Sequence, residues 1–132
     1  MLEYKQESLE SSWNDFYPLL EKHFKENYPS DLTFNPDYIT YYHMSLANRI
    51  KIFTVRDGGK PVGYMSILIS AHLHCKDVVW AVTDAVYVDP EYRNKGVFQE
   101  LQKFVEKSID ADFISYGAIT HKFEKFFTKD LR

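Results

Sequence analysis

The chain has 132 residues, a formal net charge of −3 and a sequence pI near 5.9. That length accommodates one domain, 1–132, and ten Tyr with ten Phe supply the ring surface for a sizeable core. The mild acidity without a long basic run argues against a nucleic-acid partner; Cys75 stands alone, so no internal disulfide forms; no stretch has the apolar length of a signal core or a membrane span. The expectation is a cytoplasmic protein with no membrane partner.

In chain order, Leu2 to Gln6 suggests a short first strand. Leu9, Trp13, Phe16, Leu20 and Phe24 recur three or four apart, which predicts an amphipathic helix, with Pro18 set to kink or divide it. Tyr28-Pro29-Ser30-Asp31 marks a turn. Asn35-Pro36 reads as an N-cap and first-turn proline opening a second helix to about Asn48, with Tyr38, Ile39, Tyr42 and Leu46 as its apolar stripe. That tyrosine cluster reads first as core packing; the sharper reading has Tyr41 or Tyr42 lining a substrate pocket. Ile50 to Arg56 and Pro61 to Ser70 are predicted strands joined by Asp57-Gly58-Gly59-Lys60, a hairpin signal. A polar connection, Ala71 to Asp77, follows.

The most informative stretch is Val78 to Asp110. Val78 to Val88 is β-branched and apolar, a buried strand ended by Pro90. After Arg93-Asn94-Lys95-Gly96 the period changes. Val97, Leu101, Phe104, Val105 and Ile109 recur at helical spacing among charged residues. A strand that passes through a basic glycine turn into a helix start aims free backbone N–H groups and the positive end of the helix dipole at one spot, an arrangement suited to phosphate. Phe113 to Thr120 predicts a further strand, parallel to the Val78 to Val88 strand through a right-handed crossover. His121 to Lys129 reads as a last short helix on Phe123, Phe126 and Phe127. The order implies an α/β mixed sheet with helices on its faces.

The run VTDAVYVDPEYRNKGVFQEL resembles the coenzyme A-binding motif of the GNAT N-acetyltransferases, in which a strand and a Pro-Glu-x-Arg approach lead into an Arg/Gln-x-x-Gly-x-Gly/Ala loop and a helix. Arg93 matches the first loop position and Gly96 the fourth. The sixth is Phe98, where the family has Gly or Ala; its ring either crowds a pyrophosphate or turns into the core. The element order resembles the family over nearly the whole chain, except that a GNAT domain ends with a further pair of strands and this chain is expected to lack them. An uncovered edge at Phe113 to Thr120, or the helix after it, would then favour a homodimer.

The resemblance implies acetyl-CoA as cosubstrate. Its pyrophosphate would lie on Arg93, Asn94, Lys95, Gly96, Val97 and Phe98, and its pantetheine arm along the main chain of Val86, Tyr87 and Val88. Counting by twos puts Asp84 on one face with Trp80, Val82, Val86 and Val88, a desolvating setting that would raise its pKa toward that of a general base. The family carries an acidic general base at this point of the strand; the other reading gives Asp84 a structural role. For the general acid, the family's tyrosine position falls near Phe123, which cannot donate; Tyr116 and His121 lie close in sequence as substitutes, and the alternative is that no dedicated acid is needed, since a thiolate is already a good leaving group. His72-x-His74-Cys75 has the composition of a metal cluster, yet without a second ligand pair polar loop residues are the simpler reading, and no metal is expected. The implied activity is acetyl transfer to a primary amine, a small molecule or a protein amine, directly and with general-base assistance. The alternative is a GNAT-like domain without catalysis, acting as a binding or structural module. A nucleotide P-loop is disfavoured because the Gly-Lys-Ser/Thr ending is missing.

Overall fold

A computed structural model describes residues 1–119 and 124–132. Within them run β1 (Leu2–Glu7), α1 (Leu9–Asn27), α2 (Tyr38–Leu46), β2 (Ile50–Asp57), β3 (Lys60–Ala71), β4 (Val79–Val88), α3 (Val97–Ser108), β5 (Phe113–Ile119) and β6 (Glu124–Asp130). The strands form one sheet in sequence order. Every pairing is antiparallel except β4 with β5, which is parallel. The β2–β3 turn carries Gly58 and Gly59 at φ of 58° and 87°, the two successive left-handed residues that a primed hairpin turn needs.

Alternation along the strands divides the core in two. On one face Phe53, Val55, Met65 and Ile67 meet Val97, Leu101 and Val105 of α3. On the other Ile52, Tyr64 and Tyr87 meet Leu9, Phe16 and Leu19 of α1, with the tyrosines of α2 beside them. Helices therefore cover both faces, as expected.

Three local expectations are corrected. The first helix runs through Pro18 undivided, from a Ser8 cap whose Oγ accepts the Ser11 N–H at 3.2 Å; burial of Leu9, Phe16 and Leu19 on either side of the proline holds it as one piece. The second helix is capped by Asp37 and not by Asn35, because the Asp37 carboxylate accepts the Thr40 N–H at 3.0 Å and the Thr40 hydroxyl at 2.6 Å. In its stripe, Tyr38, Tyr41, Tyr42 and Met44 pack inward, while Ile39 and Leu46 are 61% and 65% exposed.

The larger correction lies at the end of the chain. The helix expected from His121 to Lys129 is replaced over Glu124–Asp130 by β6, which pairs with β5 from Phe113↔Asp130 to Ile119↔Glu124. Thr120, His121 and Phe123, to which the strand end, a candidate acid and the family's tyrosine position were assigned, lie outside the described residues. The reason is tertiary: β5 has an open ladder, and Phe126-Phe127-Thr128 suits a strand at least as well as a helix. The sheet thus gains a strand where strands were expected to be lacking. Phe113–Ile119 sits between β4 and β6, so the outer strand on this side of the sheet is β6.

Candidate active site

Strand β4 is paired unequally along its length. With β3 it pairs from Val79 to Val88. With β5 the described pairs are Trp80↔Phe113, Ala81↔Ile114 and Val82↔Ser115. At the point of separation the Thr83 hydroxyl accepts the Gly117 N–H at 2.8 Å, so a side chain bridges strands that have ceased to share a ladder. Beyond it, Asp84 to Val88 border a cleft of about 400 Å³, closed by Gly117, by Phe98 and by the last turns of α1 at His23, Glu26 and Asn27.

The cleft leads to the start of α3. A single 3₁₀ turn, Pro90–Tyr92, redirects the chain, and Asn94 and Gly96 take φ of 61° and 79°. The Glu100 N–H bonds the Gly96 carbonyl at 3.0 Å, which leaves the N–H groups of Val97, Phe98 and Gln99 outside the helical ladder. A Cβ on Gly96 would meet no heavy atom within 4 Å, so the turn borders open space. A second cleft of about 560 Å³ lies here and shares Val88, Arg93 and Phe98 with the first. Asn94 and Lys95 are exposed. Arg93 donates from Nε to the Val88 carbonyl and from a terminal nitrogen to Glu26, both at 2.8 Å, and lies 5.4 Å from the Tyr87 ring centroid. Phe98 takes the second of its two expected courses: its half-buried ring packs against the α3-side core.

Asp84 departs from the period-two count, and a bulge is the cause. Ser66 pairs with Ala85 while Ile67 pairs with Thr83, so Asp84 is the extra residue and the alternation shifts after it. Val86 and Val88 pack toward α3, whereas Ala85 and Tyr87 pack toward α1. Asp84 accepts the Ser66 hydroxyl at 2.9 Å and is exposed on the cleft wall, so the expected desolvation among valines does not occur. Ser66 belongs to the α1 side, two residues along β3 from Tyr64.

Around this carboxylate lies a set of polar rings. His23 Nδ1 and Tyr64 Oη are 2.9 Å apart. Burial holds the His23 pKa below its ordinary value, against the opposing charges of Glu26 and Asp84. Burial also raises the Tyr41 and Tyr64 phenols, and the Asp84 charge adds to both. Tyr87 is pushed up to about 12 by burial and then by the Asp89 charge. At neutral pH the cluster therefore holds protonated phenols, a neutral imidazole and a carboxylate with access to solvent.

Beyond Asp84 a third cavity, of about 290 Å³, opens between α1 and the loop before α2. His23, Tyr28, Asp84 and Ala85 line both it and the β4 cleft. Its walls include Phe24, Phe34 and Tyr41, with Phe24 against Tyr28 at 5.0 Å and against Phe34 at 5.4 Å between ring centroids. Tyr41 thus lines a pocket, while Tyr42 packs in the core beside Tyr38.

The structure brings Asp84, Val86, Tyr87, Val88, Arg93 and Phe98 to one cleft wall, and Asn94, Gly96 and Val97 to the adjoining turn. It does not bring Tyr116 there. Tyr116 is buried in the α3-side core, donates to Glu106 at 2.5 Å and stacks on Phe127 at 4.9 Å; burial and the Glu106 carboxylate raise its pKa. His72 stacks on Trp80 at 5.1 Å, and its Nδ1 accepts the His74 N–H at 3.1 Å. His23 and Glu26 did not emerge from the sequence as site residues. Phe16, Leu20 and His23 fall on one face of α1 by spacing, which marks His23 as inward-facing but says nothing of the strand it meets.

The profile of the Acetyltransferase (GNAT) family matches residues 10–116. The chain belongs to the GNAT acetyltransferase family. Among solved structures, a ribosomal-protein-alanine N-acetyltransferase from Brucella melitensis biovar Abortus 2308 is similar at a TM-score of 0.67 and 18% identity, over 81% of this chain and 70% of that one. An aminoglycoside acetyltransferase from an uncultured soil metagenomic sample, in complex with sisomicin, is similar at 0.66 and 16%, over 89% and 77%. The NatC complex bound to Gag peptide and CoA is similar at 0.63 and 14%, over 89% and 74%. These identities speak to the fold alone. A comparison with curated protein sequences finds no significant match.

Proposed function

We propose that this chain works as one catalytic domain that transfers the acetyl group of acetyl-CoA directly to a primary amine, with Asp84 as general base. The observation that carries this reading is the continuity of three clefts, from the open N–H groups of α3, past the unpaired backbone of β4, to Asp84. The pyrophosphate would take the N–H groups of Val97 to Gln99 and the charge of Lys95, with Arg93, held by Val88 and Glu26 through two of its donors, adding charge beside them. The pantetheine arm would lie along Val86, Tyr87 and Val88. The thioester would then end at Asp84. An ammonium must lose a proton before its nitrogen can attack the carbonyl carbon. Asp84 takes that proton, directly or through a water, nitrogen forms the new C–N bond, the C–S bond breaks to release the thiolate of coenzyme A, and the second proton that the amide nitrogen must lose passes to that thiolate or to solvent. Orientation supplies the rest, with no acyl-enzyme intermediate. Tyr116 has no part in this scheme, because its hydroxyl serves Glu106 inside the core.

Asp84→Asn tests the reading. Release of free coenzyme A with saturating amine should fall by roughly 10²–10⁴-fold, while calorimetry finds coenzyme A affinity nearly unchanged. A variant that turns over at the wild-type rate would return Asp84 to a structural role.

A further inference from the structure

The aromatic cavity beyond Asp84 deepens the proposed function, on which this inference rests, because its chemistry limits the amine it can receive. Of the described residues lining it, Asp84 alone carries a formal charge. His23 is the other titratable cation there, and burial keeps it neutral near pH 7. The walls are mainly the rings of Phe24, Tyr28, Phe34 and Tyr41 with Leu20 and Pro36, and Thr33 and Asn35 add two polar residues at the loop side. Phe34 is pinned between Tyr17 at 5.2 Å and Phe24 at 5.4 Å, so its face is held and not merely available. At about 290 Å³ the cavity is at the small end of ligand pockets, which begin at roughly 300 Å³.

The geometry points to a small monoamine as acceptor: one ammonium on a compact apolar body, such as a single ring on a short linker. The ammonium meets Asp84 and the π-faces beside it, where a cation is favoured. The apolar body fills the ring-lined end. A polyamine or an aminoglycoside would bury further ammonium groups with no carboxylate to meet them, a large desolvation cost. A peptide N-terminus would bring amide groups that need hydrogen-bond partners along an aromatic wall.

The test is a competition among acceptors. Wild-type protein with acetyl-CoA is given phenethylamine, spermidine, kanamycin and an alanine-initiated tripeptide, and kcat/KM is measured for each. Phenethylamine should lead by about tenfold or more, the scale of one unmatched buried charge or lost ring contact. Phe34→Ala should raise the phenethylamine KM about tenfold with less effect on kcat. Asn35→Asp, which adds a second carboxylate at the wall, should shift preference toward spermidine. A lead by spermidine, kanamycin or the tripeptide overturns the inference and leaves the acetyltransferase reading standing. Should no amine be acetylated, that reading fails instead, and NMR titration of phenethylamine into the coenzyme A-loaded protein decides the cavity's chemistry. Millimolar-or-tighter binding that weakens in Phe34→Ala supports it; no binding in that range overturns it.

Discussion

The two faces of the sheet are built from different materials. Toward α3 the core is mostly aliphatic: Val55, Val62, Ile67, Leu101, Val105 and Ile114 are fully buried, and the main polar contact, Tyr116 to Glu106, is closed off by Lys129 at 2.6 Å. Toward α1 and α2 the core mixes Leu9, Leu19, Ile50 and Ile52 with many rings, and it carries hydroxyls, an imidazole and a carboxylate that open into clefts. Aliphatic side chains pack densely and have no hydrogen-bonding demands, so they suit a part that must hold shape. Rings with a polar tip tolerate an edge between protein and solvent. The difference teaches that one face is built to hold shape and the other is built to accommodate the chemistry proposed above, with β4 bordering both through the bulge at Asp84.

The comparison breaks most visibly on the stable face. Leu101→Ala, at a fully buried position of α3, should lower unfolding free energy by about 2–5 kcal/mol in a urea titration, yet leave kcat near wild type in the fraction that remains folded. Loss of kcat in that folded fraction would mean that the two faces are not separable. Tyr116→Phe sharpens the same point. Removing the donor to a charged Glu106 should cost about 1.5–3 kcal/mol while turnover persists; a collapse in turnover with the fold intact would restore Tyr116 as the acid. Gly96→Val works at the junction. Its φ of 79° makes a side chain there cost about 1–2 kcal/mol, and the methyl groups would enter the open space beside the α3 N-terminus. Coenzyme A binding should disappear in calorimetry while the circular dichroism spectrum stays native; unchanged affinity would remove the turn from the cofactor site.

The smallest effect is on the chemical face. Burial depresses the His23 pKa in the folded protein against the pull of Glu26 and Asp84. The unfolded chain therefore takes up the proton first as pH drops below about 6.5. Stability from this group is complete above that pH and declines as pH falls toward the lower folded value. His23→Gln should flatten the fall in Tm below about pH 6.5; parallel curves for the two proteins would show that the decline has another origin.

Much of this arrangement can be read from the chain because its signals are local. Gly58-Gly59 fixes the hairpin, Gly96 before Val97 fixes the turn into α3, and the spacing of Val97, Leu101 and Val105 fixes the face of that helix. What escapes is decided by contacts distant in sequence. A bulge is one extra residue with no mark in composition, so counting by twos misplaced Asp84 relative to Val86 and Val88 and predicted a desolvation that does not occur. The residues of β6 become a strand because β5 offers a ladder. His23 and Glu26 join the site because α1 crosses β4 near Asp84, a tertiary fact that helical spacing cannot supply.

The bridge from Thr83 to Gly117 has a kinetic consequence. Two strands that part company would zip further along if their next amides sought each other. Here the Gly117 N–H is already engaged by a side-chain hydroxyl at 2.8 Å, which acts as a stop in the zipper. The gap is standing before any guest arrives, so the guest does not have to prise it open. Encounter should then be one-step, with an observed rate rising linearly with guest concentration and no slower rearrangement behind it. In Thr83→Val, the stop is lost and a closing equilibrium would compete with entry.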